Sequence, residues 1–254
     1  MHVEFLSHYS GVLGREMYMN RYGYSGMPVL VFPSSGGSHN EFADFGMIDA
    51  ARYFIDTGRV QFFTLSSIDG ESWLADKSMH DRALAHNQYD KYIIEEAIPF
   101  IKHKTVWFDP MMTTGCSMGA FHAVNFYLRH PDVFSKCLAL SGVYDARFFG
   151  GDYGSDIVVY ENSPADYLWN QEDPWFLDKY RSGDIIVSTG HGAWEDDGLP
   201  SFYTLKAAFE AKNIPAWFDD GEKTYHMTGH PGETNYLTFW DTYLDKKLLT
   251  SLLF

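Results

Sequence analysis

The 254 residues, 45% of them hydrophobic and 17% aromatic, suffice to bury a sizeable core and exclude a disordered chain. Nineteen Lys and Arg stand against 34 Asp and Glu, a net charge of −15, which argues against a nucleic-acid footprint or an anionic-membrane surface. No run approaches ~18 consecutive apolar residues, the first residues lack the regions of a signal peptide, and Cys116 and Cys137 fit no metal or disulfide spacing.

The first 25 residues carry two stretches, HVEFLSHYS and REMYMNRYG, that read as an antiparallel hairpin. Residues 28–33, PVLVFP, form an apolar run that ends in SSGGS, a buried strand feeding a tight loop. A second such strand is VQFFTL at 60–65. From about residue 81 to 101 a helix places Tyr89, Tyr92, Ile93, Ala97 and Ile101 on one face, and Pro99 should kink or end it. PMMTTGCS then leads into a helix from Ser117 to about His130, with Ala120, Phe121, Val124 and Leu128 as its buried stripe. Strands at 136–140 and 184–188 follow, then a helix over 200–212, a short strand at 216–218 and a closing helix from about 234. Strands alternating with helices of this length imply a parallel sheet covered on both faces.

Residues 142–181 break the alternation. They are rich in Tyr, Trp and Phe and too long for a plain connection, so they read as a lid or binding insertion, or as a satellite packed on its own aromatics.

Gly115-Cys116-Ser117-Met118-Gly119 is a G-x-S-x-G between a strand and a helix. A serine at so sharp a turn reads as a nucleophile, because its hydroxyl projects above the sheet and the sharpness demands small neighbours; a plain glycine-rich turn is the alternative. The helix N-terminus below offers unpaired N–H groups to a developing oxyanion. Cys116 and Cys137 read as small hydrophobes on buried strands.

With GMPVLVFPSSGG, DFGMIDAA, SSIDGESW, GCSMGAFHAVNFYLRHPDVF, LALSGVYD, NSPADYL and GAWEDD, nearly the whole chain resembles the esterase branch of the α/β hydrolases, which includes esterase D and enterochelin-esterase relatives. The resemblance implies one α/β-hydrolase domain over 1–254, with a mostly parallel eight-stranded sheet, helices on both faces and the aromatic insertion over its C-terminal edge. At the family's usual Gly-His-Asp-Trp-like ending this chain has Tyr225-His226-Met227-Thr228-Gly229-His230-Pro231-Gly232 instead.

The order Ser, acid, His belongs to this fold. After the DIIVS strand, Glu195, Asp196 and Asp197 compete as the acid, and the resemblance favours Glu195 through its Trp-Glu pair. His226 and His230 compete as the base; counting from the last strand favours His226, while counting back from the closing helix favours His230 or puts Asn235 in its place. The other nine histidines read as surface residues, with His39 and His191 nearest the loop mouths. Met118 N–H and a donor from Ser35 or Gly36 would form the oxyanion hole. Asp69, Glu71 and Trp73 should open onto the same face, Trp73 as a pocket wall or as a buried anchor for its loop.

The expected activity is hydrolysis of a small-molecule carboxylic ester with no cofactor and no metal, in the cytoplasm, without nucleic-acid or membrane partners. An acyltransferase of the same fold and a non-catalytic binding protein on the same scaffold are the competing readings.

Overall fold

The computed structural model describes residues 1–192 and 194–221, so His226, His230, Asn235 and the expected closing helix lie outside the described residues. Eight strands form one sheet: β1 (Val3–Ser10), β2 (Arg15–Tyr22), β3 (Met27–Phe32), β4 (Val60–Leu65), β5 (Met111–Cys116), β6 (Phe134–Leu140), β7 (Asp184–Ser188) and β8 (Trp217–Asp219). Their order is β1-β2-β4-β3-β5-β6-β7-β8. The β1–β2 and β2–β4 pairs are antiparallel and all others parallel, so the hairpin expected at the sheet edge is present.

Alternation along each strand sends side chains to two separate cores. Val29 and Val31 of β3 join Phe62, Met112, Leu138 and Ile186 beneath three short helices, α1 (Glu41–Asp44), α2 (Met47–Ala50) and α3 (Arg52–Asp56). Leu30 and Phe32 point the other way, with Phe63, Leu65 and Val187, into the larger core. That face is covered by α4 (Met79–Tyr92), α5 (Ile98–Thr105), α6 (Met118–Arg129), α7 (Ile157–Tyr160), α8 (Pro164–Tyr167), α9 (Pro174–Ser182) and α10 (Leu199–Ala211). No helix among the described residues is long and apolar enough to cross a membrane.

Two expectations need correction. Pro99 does not end its helix. The turn before it, Ile93–Ala97, widens to a π-turn in which Ile98 N–H reaches back to Ile93, and α5 continues to Thr105. The wider turn gives the proline ring room against the carbonyl it would otherwise strike, and its missing N–H falls where α5 begins. Helix α6 carries no single buried stripe, because every residue from Met118 to Leu128 is buried, wrapped by the sheet, α4 and the insertion.

The insertion divides its aromatics. Tyr144 and Tyr180 are wholly buried in the larger core, while Phe148, Trp169 and Trp175 stay exposed.

Candidate active site

Ser117 stands one residue past β5 with φ +55° and ψ −119°. A non-glycine residue in such a region costs on the order of 1–3 kcal/mol and persists only where the surroundings enforce it. Here they do. A Cβ at Gly115 would lie 2.4 Å from the carbonyl carbon of Gly119, and one at Gly119 would lie 2.3 Å from the carbonyl oxygen of Phe32. The ends of β3 and β5 and the first turn of α6 therefore meet backbone to backbone. Ser117 is exposed although the eleven residues after it are buried.

The carboxyl ends of the strands are laced together one residue beyond each. Ser117 N–H donates to the Leu140 carbonyl at 2.9 Å, Ser141 N–H to Ser188 at 2.7 Å, and Thr189 N–H to Asp219 at 2.8 Å. Ser141 also takes a positive φ, +48°, which turns its side chain out of the ladder. Its hydroxyl donates to Glu195 Oε1 at 3.0 Å, while Gly192 N–H donates to Glu195 Oε2 at 2.7 Å. Glu195 is only 3% exposed, whereas Asp196 and Asp197 are exposed. A carboxylate so far from water needs donors on both oxygens, and Glu195 has them. Sequence reading missed Ser141; its position at the end of a parallel strand, next to the strand that leads to Glu195, was the available signal.

The loop after β3 forms a tight turn in which Gly37 N–H donates to the Ser34 carbonyl at 2.9 Å, with Gly36 at φ +67°. Ser35 and Gly36 are exposed, and the turn leaves their N–H groups without an acceptor among the described residues. The Ser35 hydroxyl donates to Met118 Sδ at 3.7 Å, which docks this loop on the first residue of α6. Ala120 and Phe121 N–H both turn back to the Ser117 carbonyl. Met118 N–H lies in the first turn, before any intrahelical acceptor.

Beside Ser117 opens a cavity of about 130 Å³, bordered by Ser34, Glu41, Phe42, Met47 and Cys116. Cys116 thus lines it, half-buried, instead of pointing wholly into the sheet; Cys137 is buried as expected. Burial, helped by the charge of Glu41, pushes the Cys116 thiol up to about 12, so it is a poor competitor for the neighbouring serine.

The residues expected beyond β4 do not reach this site. Trp73 is fully buried, stacked on Phe149 at 5.3 Å and edge-on to Phe121 at 5.8 Å, in a satellite cluster with Met118. It is the anchor of its loop and presents no face to a ligand. Asp69 is buried too, accepting from His122 Nε2 at 3.0 Å, and Glu71 is paired with Arg15 of β2. His122 and its stacked neighbour His86 are wholly buried, not surface residues, because α6 carries the first into the core and α4 the second. His39 is held by Ser66 at 3.0 Å, and His191 is exposed.

A family model described as "Putative esterase" matches residues 40–250. No curated protein matches the sequence. Among solved structures, the chain is similar to a ferulic acid esterase, with TM-score 0.73 and 17% identity over 100% of this chain and 98% of that one. An S-formylglutathione hydrolase from Agrobacterium tumefaciens gives 0.71 and 15%, covering 98% and 94%. A substrate-bound fluorophosphonate-binding serine hydrolase from Staphylococcus aureus gives 0.66 and 14%, covering 100% and 98%. At these identities the structures speak for the fold, an α/β hydrolase. The strand order, the serine elbow and the family match agree: the chain belongs to this esterase family, and so to the carboxylic-ester hydrolases.

Proposed function

We propose that the chain hydrolyses a small-molecule carboxylic ester through an acyl-enzyme on Ser117. The observation that carries this reading is an exposed serine held at positive φ at the carboxyl end of β5, on the first turn of a buried helix. Ser117 Oγ attacks the acyl carbon while its proton passes to His226. The oxyanion that forms accepts from Met118 N–H and from the N–H of Ser35 or Gly36. Collapse breaks the bond to the alcohol, which leaves with the proton from His226. Water then gives a proton to His226 and attacks the acyl carbon; the acid departs and Ser117 regains its proton. Glu195 holds the imidazole in the tautomer that can accept from Ser117. Its burial and its two donors, on the frame that also carries Ser117, support this role over Asp196 and Asp197. His226 is preferred to His230 on its spacing from β8.

The test is hydrolysis across a series of esters from short to long acyl chains, with Ser117→Ala alongside. At least one ester should be cleaved, and the variant should be slower by about a millionfold. A variant that keeps most of the rate would exclude Ser117 as the nucleophile.

A further inference from the structure

Glu41 is the first residue of α1, where an acid is an ordinary occupant, and no motif marks it. In the structure its carboxylate turns back into the loop after β3. Oε2 accepts the Ser34 N–H at 2.7 Å, and Oε1 accepts the Ser34 hydroxyl. The loop folds closely around it: a Cβ at Gly37 would lie 2.4 Å from Oε2 and 2.7 Å from the carboxyl carbon. The peptides flanking Ser34 are therefore fixed on both sides, its N–H by Glu41 and its carbonyl by Gly37 N–H. The next two N–H groups, those of Ser35 and Gly36, are the ones the turn leaves uncommitted.

A carboxylate beside a developing oxyanion is electrostatically adverse, and Glu41 borders the same cavity as Ser117. Its field reaches the residue next to the nucleophile, since it adds to burial in raising the Cys116 thiol. A group that opposes the reaction's charge can aid it only through geometry. We infer that Glu41 is a positioning residue, whose carboxylate shapes the turn so that the Ser35 and Gly36 N–H groups meet the transition state. This rests on the reading of Ser117 as nucleophile and of this loop as one half of the oxyanion hole.

Two substitutions at Glu41 separate shape from charge. Glu41→Gln keeps an acceptor for Ser34 N–H and a donor for Ser34 Oγ while removing the charge. Glu41→Ala removes both bonds. On an ester the wild type cleaves, Glu41→Ala should lower kcat by about 10- to 100-fold with KM within about twofold, the signature of a displaced donor. Affinity for a boronic acid, which forms a tetrahedral adduct on Ser117, should fall in proportion to kcat/KM. Glu41→Gln should stay within about threefold of wild type. If Glu41→Ala fails to fold, Gly37→Ala, which drives a methyl group into the carboxylate, should reproduce the kcat loss at unchanged KM. Wild-type kinetics in Glu41→Ala or, failing it, in Gly37→Ala would overturn the inference, as would a Gln variant as impaired as the Ala variant. Should a fluorophosphonate fail to label Ser117 in the wild type, the reading beneath it falls as well, and that result is recorded before any Glu41 variant is measured.

Discussion

The Ser141 hydroxyl lies 3.0 Å from Glu195 Oε1, joining the end of β6 to a loop 54 residues later. The contact places one carboxylate of three on the rigid frame that also positions Ser117, because Ser141 N–H is itself tied to Ser188 and Ser117 N–H to Leu140. A residue that must orient an imidazole needs such a mount, and an exposed aspartate in the same loop has none. Glu195→Gln is therefore expected to lower kcat by about a thousandfold to ten-thousandfold, the scale seen when the acid of a serine triad is neutralised. Asp196→Asn and Asp197→Asn should remain within about twofold. Steady-state kinetics of the three variants checks this, and a large loss in either aspartate variant with little in Glu195→Gln would reassign the acid.

The base separates His226 from His230. A general base must come within about 2.6–3.2 Å of the serine hydroxyl, and four residues of irregular loop can span over about 10 Å, so only one of the two can occupy that place. His226→Ala should cost several orders of magnitude in rate, and His230→Ala no more than a surface change. The reverse ranking would transfer the role to His230.

Elements set by local pattern were legible in the residues. Buried parallel strands are short apolar runs, and β4 and β7 fall on the residues their runs predict. The elbow was legible because Gly115 and Gly119 are demanded by backbone contact, which leaves a mark in the sequence. What depends on packing was not. Residue type and position left Glu195, Asp196 and Asp197 in competition, with only the family resemblance favouring Glu195, and burial is what sets it apart in the fold. His122 and Asp69 lie 53 residues apart and form a buried pair that no spacing rule joins. Glu41 looks like any first-turn acid until the loop is seen folded around it. That the helix runs on past Pro99 was not legible, because the π-turn that accommodates the proline is a compensation in backbone geometry, invisible to residue type.

Trp73 separates anchoring from ligand contact. Fully buried against Phe121 and Phe149, it should act on stability and not on choice of substrate. Trp73→Ala is expected to cost about 3–5 kcal/mol of unfolding free energy. Rates on short and long acyl esters should change by a common factor. Denaturant unfolding and the ratio of kcat/KM values check this. A shifted ratio with unchanged stability would restore Trp73 as a pocket wall.

The buried histidines give the fold a pH dependence of definite sign. Burial holds His86 well below the usual imidazole range, reinforced by His122 and then Arg129. His8 and His39 are lowered in the same direction, again by burial. Once unfolded, each takes up a proton near the ordinary value of 6.5. Below that pH the unfolded chain binds protons that the native state refuses, so stability falls as the pH drops. His86 alone contributes a slope of up to about 1.4 kcal/mol per pH unit until its depressed native value is reached. His86→Phe, which keeps an aromatic ring between Trp73 and His122, should flatten the dependence of Tm on pH between about 6.5 and 5. An unchanged slope would show that His86 is not the group involved.

An activated Ser117 is the one requirement shared by every step of the mechanism. Incubation of the wild type with a fluorophosphonate, followed by intact mass and peptide mapping, tests this most directly. One adduct per chain should form, on the Ser117 peptide, and none in Ser117→Ala. A wild type that remains unmodified, or one modified at another residue with Ser117 untouched, would contradict the assignment of the nucleophile and the mechanism built upon it.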